Sequence, residues 1–356
     1  MKKVLIVLSV IIGSILLWNY AKPDNVKQTI KTISDKVTTP KIVSQKSEKQ
    51  YIFVPYWSFT KNITTDSEYS LIYFGVGVDL EGLDENDDGY KKIESFIGLT
   101  PNAKERILAV RMTDKVVNAQ VLKNLSVQDR MASQAVTLAQ EHGFDGILLD
   151  YETSAFGFDS TTSNISSFFE LFSKKVKESN LQFQVTLYGD TYFRARPYDV
   201  KKIGSVSDKV IVMAYDFSKS RGNPGPNFPL YDNGNYGYSF EKMTNDFQKD
   251  VDNEKLIIAL GYFGYDWSVE KDGTSVASGV PLSTNEINQE FIQDCKYDNC
   301  SMNRESDSQE PSVRYVDEDG QSHVVWFEDQ QSAQKKKDFL KSKGILEIAD
   351  WAYSYN

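Results

Sequence analysis

Eight short apolar runs, each rich in Val, Ile, Leu, Phe or Tyr, constrain this chain more than any other feature. They occupy Tyr51–Phe59, Ser70–Asp79, Arg106–Met112, Phe144–Glu152, Phe183–Tyr188, Lys209–Phe217, Lys255–Tyr262 and Ile345–Tyr353. Most are near-continuous rather than alternating, the pattern of parallel strands buried on both faces. Stripes at helical spacing fill several gaps: Met131, Ala135, Leu138 and Ala139; Ile165, Phe168, Phe169, Phe172 and Val176; Phe240, Met243, Phe247 and Val251. These aromatics are expected to pack beneath helices. Eight strands alternating with helices predict an α/β fold, a (β/α)8 TIM barrel. A doubly wound open sheet is the alternative, but no G-x-G-x-x-G or P-loop sequence supports a nucleotide site in one.

Local signals refine this frame. Ser126 with Asp129 resembles a capping box, and Gly143 suits the residue after a helix end. Between Trp267 and Ile345 the gap is too long for one helix. It holds Lys271-Asp272-Gly273 and Asp317-Glu318-Asp319-Gly320, both flanked by β-prone segments. Asp-Gly turns there predict hairpins, hence a small β-rich insertion after strand 7, about residues 268–330.

The termini differ in charge from the body. Residues 1–50 carry nine lysines against three acids, whereas the remainder carries 31 basic against 47 acidic residues. Lys2 and Lys3 precede the apolar run Val4–Trp18, the order of a secretory leader. Residues 1–21 are therefore expected to be a signal peptide or membrane anchor, and 22–50 a basic, polar linker. Export would place the protein outside the cytoplasm, secreted or anchored, where Cys295 and Cys300 would be free to close a short disulfide loop. The acidic body argues against nucleic acid as a partner.

Composition narrows the chemistry. With only His142 and His323, a three-histidine zinc site is impossible, and no metal-ligand motif or nucleophile elbow occurs. Asp84-Glu85-Asn86-Asp87-Asp88-Gly89 begins like a calcium loop but has Ser95 where the bidentate Glu belongs, so it is read as a polar turn. No cofactor or metal is expected. The sharpest motif is Phe144-Asp145-Gly146-Ile147-Leu148-Leu149-Asp150-Tyr151-Glu152. Residues two apart on a strand share a face, so Asp150 and Glu152 project together at the C-terminal end, where barrel sites lie. Crowding two carboxyls raises the pKa of at least one, which suits acid–base work.

Asp145-Gly146-x-x-x-Asp150-x-Glu152 resembles the D-G-x-D-x-D-x-E signature of glycoside hydrolase family 18, the chitinase family. Met213-Ala214-Tyr215-Asp216 resembles its M-x-Y-D motif, and Trp351 sits on the last strand where the family keeps a tryptophan. Gly261-Tyr262-Phe263-Gly264-Tyr265-Asp266-Trp267 and Val325-Trp326-Phe327-Glu328-Asp329 look like the bacterial branch of spore-cortex and cell-wall hydrolases. The resemblance spans residues 51–356 and implies a monomeric enzyme that cleaves β-1,4 bonds of N-acetylglucosamine polymers, chitin or peptidoglycan. It implies retention, with the substrate acetamide as nucleophile. Glu152 would be the acid/base, Asp150 would orient the acetamide and Tyr215 would hydrogen-bond its oxygen. Asp216 and Met213 would line the subsite and Trp351 form its floor, with Asp145 and Gly146 structural. Trp57, Tyr56, Tyr188 and Tyr265 fall near strand ends and are candidate sugar platforms, each equally placed to be core. The alternative is an inactive, lectin-type sugar-binding barrel.

Two departures stand out. Leu148 replaces the family's inner Asp, and Ala109-Val110-Arg111-Met112 replaces S-x-G-G. Leucine accepts no hydrogen bond, so Asp150 is expected to turn toward Glu152 in the empty site and share a proton with it.

Overall fold

The computed structural model describes residues 49–58, 63, 69–153 and 159–355. The leader and linker readings fall outside the described residues. Strands β1 (Lys49–Pro55), β2 (Tyr69–Val76), β3 (Glu105–Met112), β4 (Gly146–Tyr151), β5 (Gln182–Tyr188), β6 (Lys209–Ala214) and β7 (Leu256–Gly261) arise at seven of the eight apolar runs. Five further strands follow, β8 (Phe263–Val269), β9 (Val280–Ser283), β10 (Asp298–Arg304), β11 (Pro311–Val316) and β12 (Ser322–Phe327), before β13 (Glu347–Trp351). Strands β1 to β7 and β13 close a parallel barrel in the order β1-β13-β7-β6-β5-β4-β3-β2. Every residue of β4 and β7 is buried, which explains why neither alternates.

Inside the barrel, Tyr51, Phe53, Ile107, Ala109, Leu148 and Ile211 belong to one apolar layer. Outside it, the helical stripes pack on the strands. Helices α1 (Leu125–Glu141), α2 (Asp159–Glu178), α3 (Val200–Val206) and α4 (Phe240–Phe247) cover this face. Ile165, Phe168, Phe169, Phe172 and Val176 are all fully buried, as core packing requires. The cap of α1 corrects the expectation at Ser126. Asn124 stands at the N-cap with extended backbone, and its side chain accepts from the amides of Ser126 and Val127. Ser126 is already inside the first turn, too late to cap. Gly143 takes φ +67°, the left-handed turn expected after the helix end.

The insertion is an antiparallel sheet ordered β10-β11-β12-β8-β9, and it leaves the barrel directly after β7. It starts at Phe263, and both Asp-Gly sequences lie in its turns, with Gly273 at φ +87° and Gly320 at +81°. Cys295 and Cys300 are joined by a disulfide in this insertion. Helix α5 (Gln330–Ser342) leads back to β13. No described helix is long and apolar enough to cross a membrane.

Candidate active site

The site begins at the base of β4. The Asp145 carboxylate accepts from the Arg106 amide at 2.8 Å, tying β4 to β3. A side chain at Gly146 would come within 2.8 Å of the Gln182 carbonyl oxygen, so glycine lets β5 close against β4. From this anchored start, alternation carries Leu148, Asp150 and Glu152 to the inner face. Leu148 ends in the apolar layer, Asp150 lies buried above it, and Glu152 is half-buried at the mouth.

Each carboxyl has its own holder. The Thr186 hydroxyl on β5 donates to Asp150 Oδ1 in a short bond. The Tyr188 hydroxyl, two residues further along, donates to Glu152 Oε2 at 2.7 Å. This corrects the premise drawn from Leu148, that Asp150 would lack any partner but Glu152: Thr186 takes one oxygen, while the charge of Glu152 still acts on the carboxyl. Leu148 is core filler, and the partner that it cannot be is supplied by the adjacent strand. The Leu148–Gln184 pairing explains why, because two residues on from it stand Asp150 and Thr186, facing the same layer. Asp150 is pushed up to about 7, chiefly by burial and then by the charge of Glu152, while the Thr186 bond and the Arg111 charge pull it down.

Arg111 is the second departure from the family pattern, and it has a structural explanation. It pairs in register with Asp150 across β3 and β4. Its guanidinium meets the Asp87 carboxylate at 2.8 Å, donates to the Gly75 carbonyl and lies 5.0 Å from the Tyr56 ring centroid. Asp87, read from sequence as part of a polar turn, therefore serves a cation of the chain itself.

Tyr215 and Trp351 form an aromatic wall beside the carboxyls. Their ring centroids are 6.1 Å apart, and Trp351 packs edge-on against Phe74 at 4.9 Å. Among the described residues the Tyr215 hydroxyl has no hydrogen-bond partner. Burial and the nearby Asp150, Asp216 and Glu152 hold it protonated far above the ordinary tyrosine range, which makes it a donor. Met213, two residues earlier on β6, is buried.

Asp216 follows β6 with φ +56°, unusual for a residue with a side chain. Its amide donates to Asn227 Oδ1 at 2.7 Å and its carboxylate accepts from the Tyr265 hydroxyl at 2.7 Å. Asn227 is held in turn, its backbone amide donating to Glu310 Oε2 at 2.6 Å and its side chain to the Gly261 carbonyl. Glu310 and Glu328 both pair with Lys336, and all three side chains are fully buried. Burial and the neighbouring Glu328 push Glu310 up to about 8 against the pull of Lys336. A buried ion cluster between the insertion and helix α5 thus supports the loop on which Asp216 is posed.

A cleft of about 610 Å³ runs beside this wall, lined by Asp216, Phe263, Tyr265, Leu282, Trp351 and Tyr355 among others. The structure brings Asp216, Tyr265 and Trp351 together along it. Trp57 is exposed, edge-on to Phe74 at 6.1 Å. Tyr56 and Tyr188 are placed differently, for each has a ring approached by cations of the chain. Arg196 lies 3.7 Å from the Tyr188 centroid. Sequence reading missed Thr186, the hydroxyl role of Tyr188, and the Asn227–Glu310–Lys336 support. Period-two alternation carried forward from Leu148 and Gln184 would have pointed to the first two once strand pairing was known.

The sequence model described as glycosyl hydrolases family 18 matches residues 118–356, about two thirds of the chain. An uncharacterized glycosylase of Bacillus subtilis, YvbX, is 27% identical over 240 residues, 66% of this chain and 64% of that one. The cortical fragment-lytic enzyme of Bacillus anthracis is 24% identical over 241 residues, covering 65% of this chain and 51% of its own. The chain spans about half to two thirds of the length of these curated relatives. Among solved structures, a class V chitinase of Nicotiana tobaccum, a mutant form in complex with NAG4, superposes with a TM-score of 0.74 at 15% identity, over 87% of this chain and 95% of that one. That likeness shows the barrel fold. On the family match, this chain belongs to glycosyl hydrolase family 18.

Proposed function

We propose that this family 18 hydrolase is an exported glycosidase that cleaves β-1,4 linkages of N-acetylglucosamine-containing polymers with retention of configuration. The observation that carries the reading is the set of groups at one barrel mouth. Glu152 is held by Tyr188, Asp150 is buried with its carboxyl pushed up to about 7, and the Tyr215 donor stands against Trp351. Glu152 gives its proton to the glycosidic oxygen as the bond from that oxygen to the anomeric carbon breaks. The substrate's acetamide oxygen bonds to the anomeric carbon from the opposite face, forming a cyclic oxazolinium. Asp150 accepts the acetamide N–H, and Tyr215 donates to its oxygen until that oxygen attacks. Glu152 then takes a proton from water, whose oxygen replaces the acetamide and restores the configuration. Trp351 supplies the apolar floor on which the sugar rests. Placement outside the cytoplasm is supported by the leader-like Val4–Trp18 run and accords with the Cys295–Cys300 bond.

Incubating the full chain with fluorogenic chitobiose and chitotriose substrates and with purified peptidoglycan tests this. Release of fluorophore, or of fragments with new N-acetylglucosamine-bearing ends by mass spectrometry, is expected. Binding without turnover of any of these would replace the glycosidase with a lectin-type barrel.

A further inference from the structure

An excess of positive charge stands beside the candidate acid in a chain whose net charge is −10. Asp190, just beyond β5, is almost fully buried and answers two guanidiniums at once. Arg194 Nε meets it at 2.8 Å and Arg196 Nη2 at 2.9 Å. Ala195 between them has φ +45°, a turn that lets both arginines reach the same carboxylate. One carboxylate thus neutralises one of two cations. Lys219, on the loop after β6, adds a third. Among the described residues it has no ion pair and no hydrogen bond from its side chain. Its ammonium nevertheless stays over the face of Tyr188, 5.8 Å from the ring centroid. Tyr188 is the residue whose hydroxyl holds Glu152.

The half-buried Lys219 has, among the described residues, no hydrogen-bonded partner to offset fully what it gives up in hydration. Burial and the two arginines push it below the ordinary lysine range, while Asp190 and Asp216 pull the other way. An anion arriving at this position would relieve that cost. Chitin carries no such anion. Peptidoglycan strands do wherever the stem peptide is absent, because the lactyl carboxyl of muramic acid is then free rather than tied up in an amide.

We propose that Lys219, with Arg194 beside it, recognises a carboxylate borne by the substrate sugar, so that this site selects an acidic, peptide-free muramyl glycan over a neutral one. The inference rests on the glycosidase reading above and deepens it. Arg196 stays committed to Asp190 and Tyr188, and positions the ring on which both Lys219 and the acid depend.

The test is isothermal titration of the full chain with three ligands: a peptide-stripped muramyl tetrasaccharide from peptidoglycan, the same glycan methyl-esterified at its carboxyls, and chitotetraose. The free acid should bind at least about tenfold more tightly than its ester, the worth of one charge-assisted hydrogen bond. In Lys219→Gln that ratio should fall to within about twofold, and in Lys219→Arg it should persist. Raising the salt concentration should shrink the wild-type ratio. An ester that binds as tightly as the acid, or a Lys219→Gln ratio equal to wild type, overturns the proposal. Turnover is read separately on the same ligands. Cleavage of none of them overturns the glycosidase reading, and the binding ratio still decides the role of Lys219.

Discussion

Replacing Thr186 with valine isolates the bond that distinguishes this site. The two side chains have nearly the same shape, so the exchange removes the hydroxyl and little packing. Its partner, Asp150, is only 2% exposed, so water cannot take over the lost donor. A hydrogen bond to a charged group contributes roughly 1.5–3 kcal/mol, and one pKa unit corresponds to about 1.4 kcal/mol. Loss of the bond should therefore raise Asp150 by about one to two units above its value of about 7. The sign follows from linkage. The folded-state pKa of Asp150 already lies above its ordinary value of 3.8, so its contribution to stability is greatest at low pH and declines as pH rises through about 7. Removing a donor that favours the ionised form should deepen that decline. Urea unfolding at pH 5 and pH 9 checks this. Thr186→Val should cost well under 1 kcal/mol more than an ordinary core exchange at pH 5, and about 1.5–3 kcal/mol more at pH 9. The limb of the pH–rate profile governed by Asp150 should move upward in parallel. Equal destabilisation at both pH values would mean that Thr186 serves packing and not the charge on Asp150.

Three further outcomes are expected. Glu152→Gln should lower kcat by about 100- to 10,000-fold on a fluorogenic chitobiose substrate while leaving the thermal midpoint near wild type, because the amide keeps the shape but has no acidic proton. Tyr188→Phe should reduce kcat by about tenfold or more with little change in KM, since it removes the 2.7 Å bond that orients the acid; a loss confined to KM would assign Tyr188 to sugar binding. Lys336→Met should destabilise the fold by about 3–5 kcal/mol at neutral pH, because it leaves Glu310 and Glu328 buried without a cation; a urea titration at pH 7.5 measures it, and a cost below about 1 kcal/mol would count against the cluster.

Local chemistry was enough to expose the frame of this molecule. Buried strands cannot alternate, so eight near-continuous apolar runs had few folds open to them, and the barrel closes through all eight. The pairing of Asp150 with Glu152 was equally legible, because side-chain direction on a strand depends only on parity. Which polar groups would meet those carboxyls was not. Thr186 and Tyr188 each reach their partners across 36 residues, and Asn227 reaches Glu310 across 83. Lys336 lies in a Lys335-Lys336-Lys337 run, with no local sign that sets it apart from its neighbours, yet its side chain is fully buried between two glutamates. Periodicity sets the face to which a residue turns. Register between strands and the closure of long loops set what stands opposite, and those depend on how the whole barrel and its insertion pack.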